Sequence, residues 1–120
     1  AGTAQAPADL AVLTNLIGHD RAVVDEVLLL FKAISARSAA AIAQGVATGT
    51  LQEVLDAAHM LKSNARSIGA LRLGDICAEL ESQAESGQAA GLPMLLQRFE
   101  VELAALQKFL AARVAAAEPT

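Results

Sequence analysis

Tryptophan and tyrosine are absent from the 120 residues, and phenylalanine occurs only three times. With 54% of residues hydrophobic but only 2% aromatic, the core has to be filled by Leu, Val, Ile and abundant Ala, which is the composition of packed helices. Cysteine is reduced to a single residue, Cys77, which excludes an internal disulfide and a multi-cysteine zinc site. A reducing, cytoplasmic setting is expected from that. Positive charge is also short: 9 Lys and Arg stand against 13 Asp and Glu, leaving a net charge of −4. That is the wrong sign for a protein that neutralises phosphate backbones, so nucleic acid is not an expected partner. The densest apolar run, Val27 to Phe31, falls far short of the roughly 18 residues a membrane span needs, and the first residues lack the charged and apolar blocks of a signal peptide. No membrane role is expected, and the length suits one domain.

What is present is helical periodicity. Residues 1–8, AGTAQAPA, have none and read as a linker or disordered end. Asp9 is placed to cap a short helix through Leu10, Leu13, Leu16 and Ile17, with Gly18 as its left-handed stop. Asp20 caps a long second helix, about Arg21 to Ala47, with an apolar stripe through Val24, Val27, Phe31 and Ile34 continued by the smaller Ser38, Ala41 and Gly45. Gly45 and Gly49 mark its end. Thr50 and Glu53 have the spacing of a capping box before a third helix from Leu51 to about Ile68, closed by Gly69. Leu73, Ile76, Cys77, Leu80 and Ala84 define a fourth helix, which places Cys77 in an apolar stripe as a buried, inert thiol. Ser86-Gly87 ends it. Pro93 suits the first turn of a fifth helix with a stripe through Leu92, Leu96, Phe99, Leu103, Leu106, Leu110 and Val114. Short connections force the last four helices to alternate direction, so the expected fold is all-α: an antiparallel up-down four-helix bundle over residues 9–116, with the short first helix as a lid and 117–120 as a tail.

Catalytic patterns are mostly missing. There is no glycine-rich phosphate loop, no H-E-x-x-H and no G-x-S-x-G. Two His and one Cys give no ligand set for a metal, and none is expected. His59 remains. At about 100° per residue, Leu51, Val54, Ala58, Leu61, Ala65 and Ile68 share one sector of the third helix, and His59 lies well outside it, near Ser63 and Arg66. It should reach water, with the stem of Lys62 along apolar surface and its ammonium outward. A neutral imidazole is nucleophilic at physiological pH, a phosphoryl group on it needs nearby cations, and its second nitrogen needs an acceptor to fix the tautomer. His19, in the Gly18-His19-Asp20 turn, has no such company and reads as exposed. Arg72 reads as a solvated arginine, Glu100 and Glu102 as water-facing acids, and Phe31, Phe99 and Phe109 as core.

The string Ala58 to Glu81, A-H-M-L-K-S-N-A-R-S-I-G-A-L-R-L-G-D-I-C-A-E-L-E, resembles the signature of histidine-containing phosphotransfer domains, the HPt modules of bacterial multistep phosphorelays. The Ala-His pair, Leu61-Lys62, a small residue at Ser63, Gly69-Ala70, Leu73, Cys77 and Leu80-Glu81 carry the likeness, with weaker correspondences at Leu16, Gly18, Asp20, Leu28 and Phe31. The resemblance implies that His59 accepts the phosphoryl group, that Lys62 contacts phosphate and partner, and that Glu81 orients the ring. It also implies that Ser63, where the family commonly has Gly, meets the partner; Arg66 is a further candidate contact. Met60 and Asn64 are followed by no proline, unlike the pattern of dimeric kinase domains. The implied partners are response-regulator receiver domains and a hybrid sensor kinase, docking around His59 on the second and third helices. The chain is expected to be monomeric and to have no cofactor of its own, the magnesium ion belonging to the receiver. The alternative reading is a helical docking module that binds a receiver or another protein without phosphotransfer.

Overall fold

The computed structural model describes residues 6–117. Within them are five α-helices and no strand: α1 (Ala11–Ile17), α2 (Arg21–Thr48), α3 (Leu51–Ser67), α4 (Leu71–Glu85) and α5 (Leu92–Ala117). Local chemistry sets most boundaries. The Asp9 carboxylate accepts from the Ala11 N–H at 3.1 Å, and Asp20 accepts from Ala22 at 3.0 Å. Gly49 ends α2 in the left-handed conformation at φ 71°, which costs an L side chain energy but glycine little. Gly18 also has positive φ, but with ψ −176° it is not the left-handed cap its position suggests. The Thr50–Glu53 capping box does not form either. Thr50 makes no side-chain cap, and its hydroxyl bonds that of Thr48 at 2.8 Å instead. A short 3₁₀ turn, Ala89–Gly91, leads into α5, a detail that periodicity does not reveal because it is shorter than one apolar repeat.

The helices pack in a ring, α2 on α3, α3 on α4, α4 on α5 and α5 on α2, which makes the antiparallel bundle. Its axis is filled by Val24, Leu28, Phe31, Ile42, Val54, Leu61, Leu73, Leu80, Phe99 and Leu106. Phe109 packs against this core from a half-buried position. The expected stripes are buried at Val24, Phe31, Ser38 and Gly45 on α2 and at Leu92, Phe99, Leu103, Leu106 and Leu110 on α5, and depart from expectation at the remaining positions. On α2 the other buried positions are Leu28, Ser35 and Ile42 rather than Val27, Ile34 and Ala41, and on α5 Leu95 is buried more deeply than Leu96. Neighbouring three- and four-residue steps both leave apolar side chains inward here, and packing against adjacent helices selects between them.

The longer helices, α2 and α5 with 28 and 26 residues, exceed α3 and α4 with 17 and 15. Since the α2–α3 and α4–α5 connections lie at one end of the bundle, the excess projects at the other. There α1 closes the bundle, with Leu13 buried. The approach to α1 is part of the core and not free linker up to residue 8. Ala8 is buried, the Asp9 N–H donates to the Gly69 carbonyl at 3.0 Å, and a Cβ on Gly69 would collide with the Asp9 carbonyl group. Residues 1–5 of the expected linker and 118–120 of the expected tail lie outside the described residues, while Ala117 belongs to α5.

Candidate functional site

His59 sits near the middle of α3, where Val54, Ala58, Leu61 and Ala65 turn inward and leave its side chain 63% exposed. Its Nδ1 lies 2.5 Å from Oε2 of Glu81 on α4. The other oxygen of the same carboxylate accepts from Lys62 Nζ at 2.5 Å. One acid thus spans two bases across the α3–α4 seam. Glu81 and Lys62 are mostly covered, at 16% and 21% exposure, so the stem of Lys62 does lie on apolar surface while its ammonium meets a carboxylate rather than open water.

This arrangement fixes protonation. The Lys62 ammonium, hydrogen-bonded to Glu81, holds that carboxyl below its ordinary value; burial opposes the shift and the bond with His59 adds to it. An ionised carboxylate can only accept, so the ring proton resides on Nδ1 and donates to Glu81. In the neutral ring the lone pair is then on Nε2, which has no hydrogen-bond partner among the described residues.

The other candidates surround this centre unequally. Ser63 is exposed one turn beyond His59, and its carbonyl accepts from the Ser67 hydroxyl at 3.0 Å. Arg66 does not join the histidine. Its Nη2 is 3.8 Å from Asp75 Oδ1, and its stem crosses Gly74, where a Cβ would lie 3.0 Å from Arg66 Cγ. Arg72 turns away to α5, 3.4 Å from Glu102, so Glu102 is a partly buried ion-pair partner and not the water-facing acid its sequence position suggests. Glu100 and His19 are exposed. Asp56, one turn before His59, accepts from Gln52 at 2.8 Å. Of the two helices expected to form the docking face, α2 and α3, only α3 contributes to the network, whose third member comes from α4. Cys77 is fully buried under the same seam, and burial pushes its thiol up to about 12, which removes the thiolate as a nucleophile. The shared use of Glu81 by two bases has no signature in the sequence, because it depends on the register between two helices.

A family model for the Hpt domain matches residues 26–109. The chain is also similar to the crystal structure of histidine-containing phosphotransfer protein B (HptB) from Pseudomonas aeruginosa PAO1, with a TM-score of 0.82, 25% sequence identity, and coverage of 93% of this chain and 98% of that one. Among curated proteins none matches. No helix of the described residues is long and apolar enough to cross a membrane.

Proposed function

We propose, from the premise that the chain belongs to the Hpt domain family, that His59 is the residue through which it passes phosphoryl groups between receiver domains of a two-component phosphorelay. The observation that carries this reading is the ring held at Nδ1 by Glu81 on a side chain 63% exposed, which leaves Nε2 with its lone pair available to a visiting protein. Nε2 attacks the phosphorus of a receiver aspartyl phosphate. The N–P bond forms as the acyl O–P bond breaks, and the aspartate carboxylate leaves. The ring becomes positive, and Glu81 stabilises that charge through Nδ1–H. Lys62, within one helical turn, supplies the cation for the incoming phosphoryl oxygens. The reverse step uses the same groups, so the direction of flow follows the relative stabilities of the two phosphorylated partners.

Receivers dock around His59, over exposed Ser63 and Met60, with the magnesium ion and acidic pocket on the receiver side. The chain acts as a cytoplasmic monomer. The test is His59→Gln, which fills similar space without a nucleophilic nitrogen. Incubated with a phosphorylated receiver and magnesium, the wild type acquires acid-labile phosphate and the folded variant acquires none. Labelling of the variant would remove His59 from the reaction, and receiver binding by the wild type without any phosphohistidine would reduce the domain to a docking module.

A further inference from the structure

The pair of helices opposite the one that carries His59 has its own surface feature. Where α2 and α5 run past the shorter helices they leave a groove of about 560 Å³, lined on α2 between Leu28 and Ala36 and on α5 between Gln107 and Val114. Its floor is the outer edge of the core at Leu28, Phe31 and Leu110, and Leu29 stands 57% exposed beside it. Lys32 lines the groove from the α2 bank and Lys108 from the α5 bank, and both are exposed. Only three lysines occur in the chain, so two of them border this groove in a molecule of net charge −4. Among the described residues neither has an acidic partner within ion-pair distance, nor do Arg37 and Arg113, whereas Arg21, Lys62, Arg66, Arg72 and Arg98 all do.

We propose that the α2–α5 groove binds an acidic amphipathic helix of a partner protein. The groove walls extend over about 12 Å, roughly two helical turns, which matches apolar anchors at i, i+3, i+4 and i+7. The placement of charge selects the occupant. A single-chain amphiphile carries its acid at one end, whereas a helix carries acids on both flanks of its apolar stripe and meets a lysine on each bank. A second copy docked groove to groove brings four lysines together, which like-charge repulsion opposes. The site lies across the bundle from His59 and is independent of phosphotransfer.

The probe is a synthetic peptide of about 14 residues with leucines at those anchor spacings and glutamates on both flanks, titrated into isotope-labelled protein and followed by amide chemical shifts. Expected are saturable shifts confined to the residues lining the groove, weaker binding of the matching lysine-flanked peptide, and a loss of roughly tenfold or more in affinity for the Lys32→Glu/Lys108→Glu variant. The native spectrum of that variant and its unchanged labelling at His59 keep the result separate from the phosphotransfer reading. The proposal is overturned by absence of shifts up to millimolar acidic peptide, by equal binding of both peptides, by groove shifts with decanoate but not with peptide, or by a groove-mediated dimer in light scattering.

Discussion

At the scale of single residues, the informative side chain is Glu81, because one carboxylate serves two bases. A carboxyl whose native pKa lies below its unfolded value stabilises the fold at pH above the unfolded value, and that contribution disappears as pH falls through the native value. The urea midpoint of the wild type is therefore expected to drop as pH is lowered from neutrality through 4.5, the ordinary value for Glu, and below. Glu81→Gln should flatten that part of the profile and, by freeing the His59 ring, slow phosphoryl uptake by roughly 10- to 100-fold. A variant with wild-type rates would mean that the ring needs no orienting acceptor. Cys77 gives the opposite sign. Its native value of about 12 stands above the ordinary 9.0, so its contribution is intact below 9 and is lost as pH rises from there toward 12. Iodoacetamide is expected to leave Cys77 untouched in the native protein and to alkylate it in urea, as mass spectrometry would record. The outward phase of His59 was readable from α3 alone, since eight residues of regular helix leave little phase error. The position of Glu81 opposite it came through resemblance, and the diversion of Arg66 over Gly74 was not readable at all.

At the scale of elements, small residues decide how closely helices meet. Gly45 lies buried within α2, and a Cβ there would stand 2.7 Å from Val54 Cγ2 and 3.0 Å from the Thr50 carbonyl oxygen. Helix propensity alone favours Gly45→Ala by up to about 1 kcal/mol, whereas overpacking against a stiff β-branched residue and backbone costs about 1–3 kcal/mol. The second effect wins, so Gly45→Ala is expected to lower the urea midpoint, with a net loss of about 1 kcal/mol in stability. A more stable variant would show that the α2–α3 junction is loose. Helix existence and order were legible in the sequence because caps and breakers such as Asp20, Gly49, Gly69, Gly87 and Pro93 act locally. Stripe register on α2 was less so. A run such as Val27-Leu28-Leu29-Leu30-Phe31 offers apolar side chains in every direction, and only the neighbours determine which of them is buried. The capping box failed for a similar reason, since the Thr50 hydroxyl had a closer alternative in Thr48.

At the scale of the whole molecule, the ring of four helices puts the His59 seam and the lysine-bordered groove on opposite pairs. Occupation of one is expected to leave the other unaffected: the acidic peptide should bind equally with and without a saturating receiver, measured by fluorescence anisotropy of the labelled peptide. Competition would mean that the two footprints overlap. The same topology brings the described ends of the chain together. Ala6 approaches over the Gly69 turn, and α5 finishes where the overhanging end of α2 begins, so both leave the bundle at one pole. His59 lies about 12 Å up α3 from that pole, measured along the helix axis to Ser67. A surface that grips the bundle at this pole therefore holds the molecule by its base and leaves its waist clear, so immobilised protein should present the imidazole to flowing analyte.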